Sequence, residues 1–193
     1  MRDRHCRLPI LFLVVFLLVT VGCRSGGGGH GDSGAPLFSG IGKHRSFITM
    51  SSKAAQRYFD QGLVFTYAFN HDDAIRSFQQ AARLDPDSAM CWWGVALCNG
   101  PHINNTVMSP ERGASAWDAF QKAIQRKHNA TPKEQALIEA LSHRYADPAP
   151  VDRKALDEAY ANAMRGVWQA TKTDADIATL YAEALMDLQP WDL

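Results

Sequence analysis

The chain of 193 residues carries 20 basic and 20 acidic side chains, enough length for one domain and an N-terminal segment. With no basic excess, its composition argues against nucleic acid as a partner. After residue 51, Ala, Gln, Leu, Glu, Lys and Arg dominate and no long Val/Ile/Thr alternation occurs, so the expected fold class is all-α.

The first residues do not read as fold. MRDRHCR is a basic opening, and LPILFLVVFLLVTVG behind it is an apolar run of 15 residues, short of the ~20 that a spanning helix needs. Residues 1–22 therefore read as a signal peptide; their removal deletes three Arg and one Asp, leaving a net charge of 0 − 2 = −2. Thr20-Val21-Gly22-Cys23 resembles a bacterial lipobox, with Thr20 where Leu is usual. That resemblance implies a lipid on Cys23 and a chain anchored in the bacterial cell envelope, facing the periplasm or the outside. Residues 23–36 form a Gly/Ser-rich tether, spanning about 20 Å r.m.s. as a flexible coil. Residues 37–50 are more apolar and are expected to pack on the first helical repeat.

Ser51 and Ser52 can cap a first helix that runs to about Tyr67. After the turn Phe69-Asn70-His71-Asp72, a second helix runs to about Leu84, with Asp72 and Asp73 in its first turn, where the helix dipole favours negative charge. His71 reads as a structural histidine. Pro86 stops the helix and extends Asp85. Gly62, Ala74 and Ala81 are small where two helices must approach, and Phe78 is the knob between them. Read in register, Tyr58, Gly62, Ala74, Phe78, Ala81 and Pro86 resemble a tetratricopeptide (TPR) repeat, a helix–turn–helix of roughly 34 residues. The resemblance implies an α-solenoid of helix–turn–helix pairs serving as a protein-interaction scaffold. One such pair cannot bury its own apolar face, so further pairs are expected.

Trp92 falls 34 residues after Tyr58; Ala96 then matches Gly62, with Gly94 displaced by two. Ser109-Pro110 starts the next helix, with Ser as cap and Pro at the first helical position. Ala116, Phe120 and Ala123 repeat the small–large–small set 42 residues on, so about eight residues are inserted near 99–109, in a loop by the rule for repeat insertions. Thr131-Pro132-Lys133-Glu134 forms a capping box and opens a helix to about Tyr145. A further helix is expected from about Asp152 to Ala170, and another opens at Thr173-Asp174. The repeats accordingly fall at 55–88, 89–130 and, in degenerate form, 131–172. An incomplete fourth covers 173–193, where Leu180, Tyr181, Leu185 and Met186 make an apolar stripe with no following helix. That ending reads as a piece of a longer array.

No HExxH, P-loop, GxSxG or CxxC pattern occurs, so no catalytic residue, metal or cofactor is expected. Cys91 and Cys98 lie seven apart, about 10 Å along one helix, too far for a disulfide, and read as small core residues. The adjacent Trp92 and Trp93 point to different helix faces, so one can be core. TPR geometry places ligands on the first helix of each pair. Here it implies a partner-binding groove at Gln56, Phe59, Leu63, Thr66, Met90, Trp93 and Leu97, with a protein or peptide as partner. The same side chains read equally as ordinary core, because large exposed apolar patches are uncommon. Two other readings stay open: the docking portion of a larger enzyme or redox protein, and a small-ligand or metal binder built around His102.

Overall fold

The computed structural model describes residues 34–189; Cys23, the signal segment 1–22, most of the tether and Trp191 lie outside the described residues. Within them the protein is all-helical. Seven α-helices run in order: α1 (Lys53–Tyr67), α2 (His71–Leu84), α3 (Ala89–Asn99), α4 (Pro110–Arg126), α5 (Pro132–Leu141), α6 (Lys154–Ala170) and α7 (Ala175–Met186). No strand occurs among the described residues.

Local chemistry fixes where these helices begin. The Ser52 side chain accepts from the Ala55 N–H at 3.2 Å, and Ser109 accepts from Arg112 N–H at 3.2 Å ahead of Pro110. Thr131 and Glu134 make both halves of the capping box at α5, and Asp174 Oδ1 accepts from Ile177 N–H at 3.2 Å at α7. Each satisfies a backbone N–H that the first helical turn leaves without an internal partner. The α1–α2 reversal turns on Phe69, whose φ of 58° lies in the left-handed region.

Helix α3 is the hub. It carries no charged residue and is buried at every position except Trp92, as expected for a helix enclosed on all sides. It packs against α1, α2, α4 and α5, while α6 lies between α5 and α7. At its contact with α2 the Phe78 ring is fully buried. A Cβ built on Gly62 of α1, or on Gly94 of α3, would come within 2.6 Å of that ring. Gly94 is thus not a displaced copy of the Gly62 position. It makes room for Phe78 from the opposite side, so one aromatic ring is seated between two glycines of different helices. Ala74, Ala81, Ala96, Ala116 and Ala123 are fully buried too, and Phe120 is nearly so. Tyr58 and Trp92 are half-buried, and Pro86 is exposed.

One expectation is corrected. Helix α5 stops at Leu141 rather than Tyr145, because the N–H groups of Ser142, His143 and Arg144 bond three residues back and tighten the chain into a turn. Tyr145 then swings inward, and its hydroxyl donates to the Ala96 carbonyl at 2.6 Å. The segment 37–50 bonds to α1 and also reaches α5 and α7. Of the apolar stripe on α7, Leu180 is buried and Tyr181 stacks on Trp168 at 5.5 Å, leaving Leu185 and Met186 exposed.

Phe78→Ala should cost about 3–5 kcal/mol, the range for truncating a core aromatic. Gly94→Ala should cost about 1–3 kcal/mol through overpacking against the ring, and the exposed Asp87→Ala under about 0.5 kcal/mol. Denaturant unfolding of the three variants checks the order; a Gly94→Ala change as mild as Asp87→Ala would contradict the seat described for Phe78.

Candidate functional site

The inward faces of α1 and α3 place Phe59, Leu63, Met90 and Trp93 side by side, facing Leu137 of α5 and Ile177 and Leu180 of α7. Gln56, whose side chain bonds the Ser46 carbonyl at 2.9 Å, is not among the residues that line it. Thr66 and Leu97 do not line it: the Thr66 hydroxyl donates to the Gly62 carbonyl at 2.8 Å and lies 3.1 Å from Cys98 Sγ. The open groove expected here is filled. All seven residues are buried, Phe59, Leu63, Met90 and Trp93 at 2% exposure or less. Their cover is the chain itself, with Ile48 laid over them. The space left beneath is about 20 Å³, room for a single water.

A helix-free strap, residues 34–52, bent at 39–41, 49 and 51, makes that cover, and its backbone is what the helices hold. The Thr49 N–H donates to Glu134 Oε1 at 2.5 Å, and the Thr49 hydroxyl to Glu134 Oε2 at 2.7 Å. Asp85 Oδ2 accepts from the N–H groups of Ser51 at 2.5 Å and Ser52 at 3.1 Å. Asp60 Oδ1 accepts from Ser46 N–H at 3.3 Å, while Gln56 Nε2 donates to the Ser46 carbonyl at 2.9 Å. Gln61 grips the far end, accepting from Phe38 N–H at 2.8 Å and donating to the Pro36 carbonyl at 2.9 Å. Glu134, Asp85, Asp60 and Gln61 are all buried, so these bonds satisfy groups that burial would otherwise leave costly. Sequence reasoning missed all four in this role. Glu134 was legible only as half of a capping box, Asp85 only as the residue before a proline.

A second set of contacts closes the strap over α7. His44 Nε2 stands 3.0 Å from Asp176 Oδ1, and the Tyr67 hydroxyl donates to the same oxygen at 2.8 Å. Burial, then the charge of Asp176, pushes the Tyr67 phenol well above its ordinary value. Lys133 pairs with Asp174 at 3.0 Å alongside.

The inserted loop after α3 folds back on the start of α2. His102 stacks on His71 with ring centroids 4.0 Å apart, and Phe69 packs against both. Arg112 ties the loop's far end down, donating to the Cys98 carbonyl at 3.2 Å and pairing with Asp72. Burial pushes the Cys91 and Cys98 thiols up to about 12, so they are protonated and inert rather than thiolate ligands. No cluster of three or more His, Cys, Asp or Glu side chains fit to hold a metal occurs among the described residues. Trp93 is the core tryptophan; Trp92 lies under Lys122, whose ammonium is 4.5 Å from the ring centroid, a cation–π contact.

No family model, no curated protein and no solved structure matches the chain. Among the described residues no helix is long and apolar enough to cross a membrane.

The stacked histidines make stability depend on pH. Burial, then the neighbouring His102, pulls His71 down to about 4, and burial also lowers His102. An unfolded histidine titrates near ~6.5. Both groups therefore favour the folded state fully above that value, and their contribution is lost as pH falls through their folded-state values. The thermal midpoint of the wild-type chain should drop more between pH 7 and pH 4.5 than that of His71→Gln. Parallel curves would mean that the stacked pair does not titrate in this way.

Proposed function

We propose that the protein is a non-catalytic protein-interaction scaffold: a TPR-like array of helical hairpins tethered by a lipid on Cys23 to the bacterial cell envelope, facing the periplasm or the outside. Three features support the array. The small–large–small set recurs in two helical pairs, Phe78 is seated between α1 and α3, and α1, α3 and α5 contact one another in sequence. The lipobox-like Thr20-Val21-Gly22-Cys23 and the Gly-rich run behind it support the tether.

The observation that carries the interaction role is the strap. Buried carboxylates and amides on α1, α5 and the α2–α3 junction take hold of a helix-free segment by its backbone N–H and C=O groups. Ile48 meanwhile fills the apolar floor. Main-chain bonds for affinity and an apolar contact for specificity make up a general mode of peptide recognition. On this reading the groove holds the chain's own segment in the resting state. It takes a partner peptide of like character, an apolar residue followed by hydroxyl-bearing ones, when the strap leaves.

The test is a labelled peptide of residues 44–52 (HRSFITMSS) titrated against the full chain and against an Ile48→Ala/Thr49→Pro variant. That variant lacks the floor contact and the Thr49 N–H. Apparent affinity scales with the fraction of molecules whose site is free, so the variant should bind at least about tenfold more tightly than wild type by fluorescence anisotropy. No saturable binding by a variant whose circular dichroism is still helical would overturn the groove as a peptide site.

A further inference from the structure

The outer face of the strap carries one sign of charge. From residue 33 to residue 59 the sequence holds four Lys and Arg side chains and no Asp or Glu. The fold gathers all four. Lys43 and Arg45 on the strap, with Lys53 and Arg57 at the start of α1, line one hollow, and each is exposed. The one carboxylate that lines it is Asp60, which is buried and already engaged. It accepts from Ser46 N–H and from Gln56, and it pairs with Arg45 at 3.4 Å. Two exposed rings line the same hollow: Phe38 is 49% exposed and Phe47 74%. The Arg45 guanidinium sits 4.9 Å from the Phe47 ring centroid. Ile48, the next residue, packs on the core while Phe47 turns out.

Exposed rings beside cations suit a layer of phosphate headgroups over acyl chains. Lys and Arg heads stay with the phosphates, and aromatic rings settle at the boundary beneath them. The chain as a whole has no basic excess, so an anionic surface attracts it only through a face where its charges are segregated. Cys23 lies eleven residues before Gly34, a contour of at most about 40 Å, so a lipid on Cys23 keeps this face within reach of the membrane. We propose that the outer face of the strap and the start of α1 form a contact for an anionic lipid surface. Lys43, Arg45, Lys53 and Arg57 meet the phosphates, and Phe38 and Phe47 meet the acyl boundary. The choice of a membrane over an acidic peptide rests on the envelope-tethered reading of the chain.

Ser33–Leu193 forms a compact unit of its own, so that portion, which lacks Cys23, tests the contact apart from the anchor. The measurement is co-sedimentation with vesicles of phosphatidylglycerol and phosphatidylethanolamine in equal parts, against pure phosphatidylcholine vesicles. A labelled hexaglutamate peptide followed by fluorescence anisotropy is the comparison in solution. Each basic side chain at an anionic surface strengthens binding about fivefold, so the anionic vesicles should be held at least about tenfold more tightly than the phosphatidylcholine ones. Raised salt should remove the difference. Lys53→Glu/Arg57→Glu should lose at least about tenfold of the anionic binding. Both side chains are exposed and the helix dipole favours negative charge at a helix start, so its circular dichroism should match that of wild type. Phe47→Ser, at an exposed ring, should weaken binding at least about threefold. No preference for the anionic vesicles, unchanged binding by either variant, or tight binding of hexaglutamate with none of the vesicles would each overturn the proposal. Whether Cys23 carries a lipid is read separately, by mass spectrometry of the chain, so failure of the tether and failure of the contact are told apart.

Discussion

The seat of Phe78 is the constraint on which the rest depends. One ring fills the space among α1, α2 and α3, and it fits because Gly62 and Gly94 both lack the Cβ that would meet it at 2.6 Å. Its neighbour Phe59, 5.2 Å away centroid to centroid, passes the contact on to the inner surface. A buried Phe stabilises a fold by about 1.5–3 kcal/mol through area alone, but its larger effect here is geometric. It sets how closely α1 and α3 lie together, and so sets the spacing of Phe59, Leu63, Met90 and Trp93 that forms the floor beneath the strap.

That floor explains why a helix-free segment can stay bound without joining a sheet. Apolar contact from Ile48 supplies burial, but a backbone outside any helix or sheet brings N–H groups that need acceptors. The helices supply them from side chains: Glu134, Asp85 and Asp60 as carboxylates, Gln61 as an amide that both accepts and donates. Glu134 serves twice, capping α5 through Thr131 and holding Thr49. The start of α5 and the strap are therefore coupled through one buried carboxylate, and removing it would disturb both.

Much of the helical layout was legible because its signals are local. The Ser52, Ser109 and Thr131 caps, the prolines at 110 and 132, and the small–large–small sets act within a few residues of themselves, and the helices they announce are present. What escaped depends on distance along the chain. Glu134 meets Thr49 across 85 residues, and Asp85 meets Ser51 across 34; neither pair carries a periodic mark. The shortening of α5 escaped for the same reason, since Tyr145 turns inward to reach Ala96, 49 residues away. The groove residues form a stripe that helical spacing makes visible, and Phe59, Leu63, Met90 and Trp93 do share a surface. Whether such a stripe meets a partner, solvent or its own chain is decided by segments outside it, which is why Phe59 and Trp93 are covered by a strap that their own spacing does not announce.

Amide hydrogen exchange of the full chain, read at Thr49, Ser51 and Ser52, measures directly whether the strap is held by its backbone in the resting protein. Protection comparable to that of the α1 and α5 ends, and lost at Thr49 in a Glu134→Ala chain, is the result predicted. Exchange of these three amides at the rate of an unstructured peptide, while α1 and α3 stay protected, would contradict it.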